Sequence, residues 1–398
     1  MQPYSPPIHE FRRLDQGYCY FDSAATCLVP ETVLQQWLEF YRHQHASVHR
    51  SSHSASRSAT ALLEQARQSI AEFIGADAAN LCLPASTTAA LNLLAQQLPI
   101  SWQAGDEIIL SVAEHHANLL PWQRLAAQHQ LTLKWLEFDR KSGALAAGWQ
   151  QLFSPRTKLL AVTAASNVTG AVLPLTALCA AARAVGALSV VDAAQAAAHV
   201  ALQVQQIGCD ALVFSGHKCY GVTGAAALYL QPQLWPLMQP GLLGGGMVEQ
   251  VEREQAQWLQ SIQRFEAGSP DSAAIISFAA ALQWLTQQHQ HGLQQHLSGL
   301  RQQLLDGLQQ RDWLRVLPSG EQATPLVSFY SAQVHAYDLA MWLDAANIAV
   351  RAGSHCAQPL LQHLGVASVV RVSLGAYNSG ADIVRLLREL DNAHSALA

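Results

Sequence analysis

Short apolar runs alternate with longer helical patterns between residues 81 and 230 of this 398-residue chain. Each short run has the length and apolar content of a buried strand. The predicted strands are Glu107–Ser111, Lys158–Thr163, Leu188–Val191 and Ala211–Phe214, and the predicted helices include His116–Gln130 and Pro174–Val185. Because strands that alternate with helices form a mainly parallel sheet covered on both faces, we predict an α/β fold.

The chain after about residue 265 predicts a second, smaller unit. Helices are expected at Ser272–Gln288, Gly292–Gln310 and Asp382–Ala398, and strands near Pro325–Tyr330 and Ile348–Arg351. We therefore predict a large domain over residues 16–265 and a small α+β domain over residues 266–398. Residues 1–15 are expected to pack against the small domain.

The composition excludes several classes of function. Charged residues make up 13% of the chain and the formal net charge is -5, so no basic field exists for nucleic acid or anionic lipid. No apolar stretch has the form of a signal peptide or a membrane span. The seven cysteines are odd in number and include no C-x-x-C pair, which argues against a disulfide framework or a metal site. We expect a cytoplasmic protein without nucleic-acid, membrane or metal binding.

Lys218 differs from the other three lysines of the chain. Those three lie where solvated side chains are typical, whereas Lys218 follows a predicted strand at the sheet edge where parallel sheets bind ligands. A lysine in such a pocket forms Schiff bases with carbonyl cofactors. The competing interpretation is a lysine that extends to the surface, and the local context alone favours it.

Neighbouring features favour a cofactor. Asp192 ends an apolar strand, where a carboxylate needs a cation or hydrogen bonds, and pyridoxal phosphate (PLP) needs such an anion at its ring nitrogen. Gln195 follows three residues later and could bind the ring hydroxyl. Ser86, Thr87 and Thr88 begin a predicted helix, and a helix N-terminus binds phosphate. A plain helix cap explains the last feature equally well.

Six motifs occur in order along the chain. They are Tyr20–Thr26, Ala113–Asn118, Ser166–Gly170, Val191–Gln195, Phe214–Lys218 and Arg351–Ala357. Together they resemble the motifs of the PLP-dependent class V aminotransferase superfamily, and within it those of the group II cysteine desulfurases. The resemblance covers nearly the whole chain. It implies the type I PLP-dependent fold, with a seven-stranded, mainly parallel sheet in the large domain, and a homodimer.

The resemblance assigns most matched residues to the cofactor. Lys218 would bind PLP covalently, Asp192 would pair with its pyridinium nitrogen and His115 would stack on its ring. Polar side chains would hold the ring hydroxyl and the phosphate: Thr87, Thr88, Asn167, Gln195, Ser215, His217 and, across the dimer interface, Ser269. Other residues lie in segments similar to the family's pocket walls: His49, Arg50, His53 and Asn92.

The same resemblance implies the substrate site and the reaction. Arg371 would bind the substrate α-carboxylate through its guanidinium fork. Further substrate contacts are expected from Arg351, Asn167 and His355. Cys356 matches the nucleophile that takes sulfur from L-cysteine as a persulfide and leaves L-alanine. Lys218 would move the Cα proton, and His115 would handle the proton of the substrate thiol. A sulfur acceptor protein of the SufE/CsdE type would then take the sulfur.

The predicted phosphate loop departs from the family pattern. Ala85–Ala89 replaces the usual Arg-Gly-Thr-Thr-Glu, which removes a glycine and a charged pair.

Cysteine sulfinate and selenocysteine are expected as further substrates, because a better leaving group needs less help from Cys356. Two alternatives stay open: another class V enzyme, such as an aminotransferase, lyase or epimerase that does not use Cys356, and a non-catalytic sulfur-relay partner without PLP.

Overall fold

The computed structural model describes residues 4–398, in which fifteen strands and eleven α-helices are connected by loops and short 3-10 turns. The strands are β1 Cys19–Tyr20, β2 Leu81–Cys82, β3 Glu107–Ser111, β4 Thr132–Leu136, β5 Thr157–Thr163, β6 Leu188–Asp192, β7 Ala211–Ser215, β8 Ala226–Leu230, β9 Val248–Val251, β10 Ala256–Trp258, β11 Leu314–Val316, β12 Leu326–Ser331, β13 Ile348–Ala349, β14 Arg351–Gly353 and β15 Val369–Ser373. The helices are α1 Glu31–Glu39, α2 Ser54–Phe73, α3 Thr87–Gln97, α4 Leu120–His129, α5 Leu175–Ala184, α6 Val204–Ile207, α7 Ser272–Gln290, α8 Leu293–Gln309, α9 Ala336–Ala345, α10 Gln358–Leu364 and α11 Gly380–Leu397.

The larger sheet has seven strands in the order β2-β8-β7-β6-β5-β3-β4. Strands β4, β3, β5, β6 and β7 run parallel, whereas β8 is antiparallel to both of its neighbours. This confirms the predicted α/β fold with a seven-stranded, mainly parallel sheet. The four predicted strands agree with β3, β5, β6 and β7 to within one residue at each end.

Alternate side chains of β5 enter two different cores. Leu160 and Val162 pack in one core, which α2, α5 and α7 share, and Leu159 and Ala161 pack in the other, which α3 and α4 share. Both faces of the strand are therefore buried. This explains why the sequence shows an unbroken apolar run there rather than an alternating pattern.

The second sheet is antiparallel and has the order β11-β12-β15-β14. The segment predicted as one strand over Ile348–Arg351 is instead two, because β13 pairs with β1 while β14 pairs with β15. The predicted helix over His116–Gln130 is also divided into a 3-10 turn at His116–Asn118 and α4, which has a proline in its first turn.

The start of the described chain packs against the C-terminal part of the molecule. Tyr4 contacts Gln288 through a hydrogen bond of 3.1 Å and lies 4.8 Å from the ring of His296. The predicted packing of residues 1–15 includes residues 1–3, which lie outside the described residues. The two domain boundaries stay predictions.

Three neighbouring parallel strands position the site. β5 ends at Thr163, β6 at Asp192 and β7 at Ser215. Because their carboxyl ends meet at one edge of the sheet, the loops that follow them converge there. Among residues 4–398, no helix is both long enough and apolar enough to cross a bilayer.

Candidate active site

One cavity of about 230 Å³ lies at this edge of the sheet. Thirteen of the fourteen predicted site residues line it: Thr87, Thr88, His115, Asn167, Asp192, Gln195, Ser215, His217, Lys218, Arg351, His355, Cys356 and Arg371. These residues come from positions as far apart as 87 and 371, so the fold brings together what the sequence separates.

Lys218 and Asp192 form the buried end of the cavity. Lys218 closes the 3-10 turn that follows β7, and Asp192 is the last residue of β6. Burial lowers the pKa of Lys218, while the negative charge of Asp192 opposes that shift. Burial likewise raises the pKa of Asp192, and this is opposed by the hydrogen bond from Ala194 N, 3.0 Å long, and by the charge of Lys218. The two groups therefore stabilise each other's charged forms in a buried site.

The N-terminus of α3 forms a second wall. Ser86 is the N-cap, and its hydroxyl accepts a hydrogen bond from Ala89 N at 3.1 Å. The Thr87 hydroxyl is buried and has no partner in the described chain. Burial, with the nearby Lys218 charge, lowers the pKa of His217 to about 4, so His217 is neutral near pH 7. Hydroxyls and free N–H groups at a helix N-terminus suit a phosphate.

His115 and Gln195 are held by backbone groups. His115 Nδ1 accepts a hydrogen bond from Ala117 N at 3.1 Å, which leaves the proton of the neutral ring on Nε2. Burial and the charge of Lys218 lower the pKa of His115 to about 4. Gln195 Nε2 donates to Ala24 O at 2.7 Å. Both side chains thus have a fixed orientation in the cavity.

Arg371 lies on β15 and is almost fully buried. Its Nη1 donates to Asn167 O at 3.0 Å and its Nη2 donates to Asp22 Oδ1 at 2.9 Å. The Nε–H group is buried without a partner among residues 4–398. Arg351, by contrast, is exposed at the mouth of the cavity.

The loop that carries Cys356 has an unusual backbone. His355 and Cys356 both have left-handed φ angles, 53° and 57°, which non-glycine residues adopt at a cost. Hydrogen bonds to neighbouring segments hold this loop: Asn167 Nδ2 donates to His355 O at 2.6 Å, His116 N donates to Cys356 O at 2.9 Å, and His355 Nε2 bonds Val369 O at 3.3 Å. Cys356 is partly exposed, whereas the other six cysteines are buried.

Unpartnered polar atoms show what the cavity is suited to bind. Seven buried side-chain atoms in the described chain lack a hydrogen-bond partner, and four of them belong to cavity residues: Thr87 Oγ1, Asn167 Oδ1, His355 Nδ1 and Arg371 Nε. Buried polar atoms normally have partners, so a ligand with several polar groups is expected here. PLP fits, because Lys218 matches its aldehyde, Asp192 its ring nitrogen, and the α3 N-terminus its phosphate.

Ser269 is the one predicted site residue outside this cavity. It lines a second cavity of about 300 Å³ together with His49 and Arg50. Arg50 Nη2 donates to Gly245 O and Gly268 O there, at 3.1 and 3.0 Å. The part that Ser269 takes in a partner subunit's site stays a prediction.

The two remaining wall residues also lie outside the first cavity. His53 caps α2 by accepting from Ser56 N at 3.2 Å, and Asn92 Nδ2 donates to Thr88 O at 2.9 Å. These contacts give both side chains a structural place in the fold. Among residues 4–398 no group of three or more His, Cys, Asp and Glu side chains is arranged for a metal ion.

Sequence reasoning assigned no role to two carboxylates beside the site. Asp22 pairs with Arg371, and Glu114 is buried where it accepts hydrogen bonds from Ser111 Oγ, Thr163 N and Asn118 Nδ2 at 2.5, 2.9 and 2.7 Å. Both belong to motifs that carried the family resemblance. The available signal was that each is the one acidic residue of its motif.

Comparison with known proteins agrees with this geometry. The family model for class-V aminotransferases matches residues 19–386. A probable cysteine desulfurase of Pseudomonas putida is 42% identical over 387 residues, which cover 97% of this chain and 96% of that protein. Among solved structures, the cysteine desulfurase CsdA from Escherichia coli is 35% identical and has a TM-score of 0.92, with 100% of both chains covered. The apo cysteine desulfurase of Thermococcus onnurineus is 32% identical, with a TM-score of 0.93 over 100% of both chains.

These likenesses extend over the sheet, the cavity and the C-terminal strands alike. The predicted type I PLP-dependent fold is thereby confirmed. The chain belongs to the class V aminotransferase family.

Proposed function

We propose that this protein is a PLP-dependent cysteine desulfurase that converts L-cysteine to L-alanine and holds the released sulfur on Cys356. The observation that carries the proposal is that Cys356 lines the same cavity as Lys218 and Arg371. A thiol, an amine and a carboxylate-binding guanidinium in one small cavity match the three functional groups of the substrate. The relatives named above as cysteine desulfurases support the same activity.

Lys218 and Asp192 would hold the cofactor at the buried end of the cavity. Thr87, Thr88 and Ser215 offer hydroxyls to its phosphate, and the neutral His217 offers a ring N–H. When bound, PLP supplies an electron sink for the charge that develops at the substrate Cα. The burial that lowers the pKa of Lys218 favours its neutral amine, the form that accepts the Cα proton.

Arg371 would bind the substrate carboxylate. Its free Nε–H group is a buried charged donor, and a carboxylate oxygen satisfies such a donor better than water. Arg351 adds a second positive charge at the mouth of the cavity, and Asn167 and His355 have free acceptor atoms for substrate N–H or S–H groups.

Cys356 would then take the sulfur. Its thiolate attacks the substrate sulfur, so an S–S bond forms while the Cβ–S bond breaks and its electron pair stays with Cβ, which is later protonated. Carbon is reduced and sulfur is oxidised within the pair of reactants, so no outside oxidant is needed. His115 Nε2 carries a proton within the cavity, so the neutral ring can donate a hydrogen bond to the substrate sulfur, and its part in handling the thiol proton stays a prediction.

The remaining partners are part of the same proposal. A cysteine-bearing acceptor protein of the SufE/CsdE type would take the persulfide sulfur from the partly exposed Cys356. A homodimer is supported by exposed apolar side chains near the second cavity, such as Leu242 and Leu243. A reducing compartment, the cytoplasm, is supported by the seven free cysteines.

The test is to incubate the PLP-loaded protein with L-cysteine, to quantify alanine, and to measure the mass of the intact chain by mass spectrometry. We expect alanine together with one extra sulfur atom on Cys356, and neither in Cys356→Ala. Bound PLP without alanine or persulfide would point to another class V reaction. A protein that stays colourless with added PLP would point to the non-catalytic relay. Light scattering tests the dimer.

A further inference from the structure

Asp22 contacts the arginine that the proposed function assigns to the substrate carboxylate, although Asp22 does not itself line the cavity. Asp22 Oδ1 accepts a hydrogen bond from Arg371 Nη2 at 2.9 Å. The side chain of Arg371 is 2% exposed and that of Asp22 is 23% exposed. The guanidinium is therefore deeply buried, and removal of its one carboxylate partner would leave its charge poorly compensated.

The backbone around Asp22 is fixed to the strand that carries Arg371. Asp22 forms a parallel bridge with Ser373 at the end of β15. Ser373 N donates to Phe21 O at 2.8 Å, and Ala24 N donates to the Ser373 hydroxyl at 2.9 Å. Asp22 cannot leave Arg371 by a backbone shift unless these bonds break. The ion pair is thus a fixed element of the fold.

Asp22 and a backbone carbonyl together orient the guanidinium. Asn167 O accepts from Nη1 and Asp22 accepts from Nη2, so Nε is the one guanidinium nitrogen without a partner among residues 4–398. Two further cations, Lys218 and Arg351, line the same cavity and repel Arg371. An anion behind the guanidinium is therefore needed to keep it in place for a ligand in front.

We propose that Asp22 is a positioning residue for the substrate carboxylate: it anchors Arg371 from behind so that Nε–H stays directed to the α-carboxylate. This inference rests on the proposed function, because it requires that Arg371 binds a carboxylate. Asp22 forms no bond to the substrate, so it changes carboxylate binding only through Arg371.

The test compares two ligands that differ only in the carboxylate. L-Alanine, the expected product, and L-alaninamide are titrated into the PLP-loaded, full-length protein, and the absorbance of the bound cofactor reports binding. We expect Asp22→Ala to weaken the binding of L-alanine by about 10-fold or more, and the binding of L-alaninamide by less than about 2-fold. Asp22→Asn keeps an acceptor oxygen for Nη2, so we expect an intermediate loss of about 3-fold for L-alanine. In turnover, KM for L-cysteine rises while kcat stays within about 3-fold.

Asp391→Asn is the matched control, because Asp391 also accepts from an arginine, Arg311, at 2.5 Å but is exposed on α11 and does not line the cavity. It should change neither affinity. Equal weakening of both ligands by the Asp22 variants would make Asp22 a structural residue and overturn the inference, and so would no change for either ligand. If Asp22→Ala does not fold, Asp22→Asn alone decides. Wild-type protein that binds both ligands equally would refute the carboxylate role of Arg371 and with it the proposed function.

Discussion

The two sides of the cavity are built in opposite ways. The floor consists of Thr163, Asp192, Ser215 and Lys218, which end or directly follow parallel strands of the seven-stranded sheet and are largely buried. The lip is residues 351–356, which leave the second sheet and reach Cys356 through two left-handed residues. Side chains at strand ends keep their positions, whereas loop residues move more readily. In the proposed function, the cofactor would therefore contact the side built from strand ends, and the released sulfur would be held on the side that ends in a loop.

Removing the floor's amine should have the largest effect. Lys218→Ala is expected to lose at least about 10³-fold in desulfurase activity, because the covalent link to PLP and the base for the Cα proton disappear together. Borohydride treatment followed by mass spectrometry should no longer fix PLP to the chain. Lys141→Ala, in an exposed turn, is the control and should keep both properties.

Removing the Cys356 thiol of the lip should show that the two sides of the cavity have different roles. Cys356→Ala is expected to lose at least about 100-fold of its turnover of L-cysteine while the absorbance of bound PLP stays unchanged, because the floor is intact. Cysteine sulfinate turnover should fall less than about 10-fold, since its leaving group needs no nucleophile. Equal losses for both substrates, measured as alanine, would contradict a sulfur-specific role for Cys356.

The hydrogen bond between Asn167 and His355 O, which holds the lip, can be tested by a smaller change. Asn167→Asp keeps the size of the side chain but cannot donate to His355 O, so the Cys356 loop loses that hydrogen bond. The loss of one such bond, about 1 kcal/mol, should raise the rate of Cys356 alkylation by about 5-fold. Alkylation is followed by mass spectrometry under native conditions. Asn392→Asp, on the exposed face of α11, should leave the rate unchanged.

The last prediction concerns folding stability rather than activity, and it involves the carboxylate next to the floor. Burial raises the pKa of Glu114 to about 8, so the folded protein holds a proton that the unfolded chain releases above about pH 4.5. Stability from this group is therefore full at low pH and falls as pH rises toward 8. Glu114→Gln removes that dependence. Between pH 6 and pH 8, denaturant unfolding should show the wild type losing about 2 kcal/mol more than the variant.

The floor was more predictable from the sequence than the lip and the second sheet. Apolar runs that end at Asp192 and Ser215 located both strand ends within one residue, because a strand buried on both faces must be apolar throughout. The division of Ile348–Arg351 into β13 and β14 depends on the pairing of β13 with β1, which lies more than 300 residues away along the chain, so no local pattern contains it. Likewise, the family resemblance named Arg371, but its partner Asp22 became visible only through long-range geometry.

The contact between Asp22 and Arg371 joins positions 349 residues apart. A ribosome adds about 5–20 residues per second, so Asp22 leaves it roughly 20–70 s before Arg371 does. All seven strands of the larger sheet are synthesised in that interval. The strand ends that would hold PLP are therefore complete before Arg371 is added. In the proposed function, most residues for the cofactor are thus synthesised first, and the arginine for the substrate carboxylate is synthesised last.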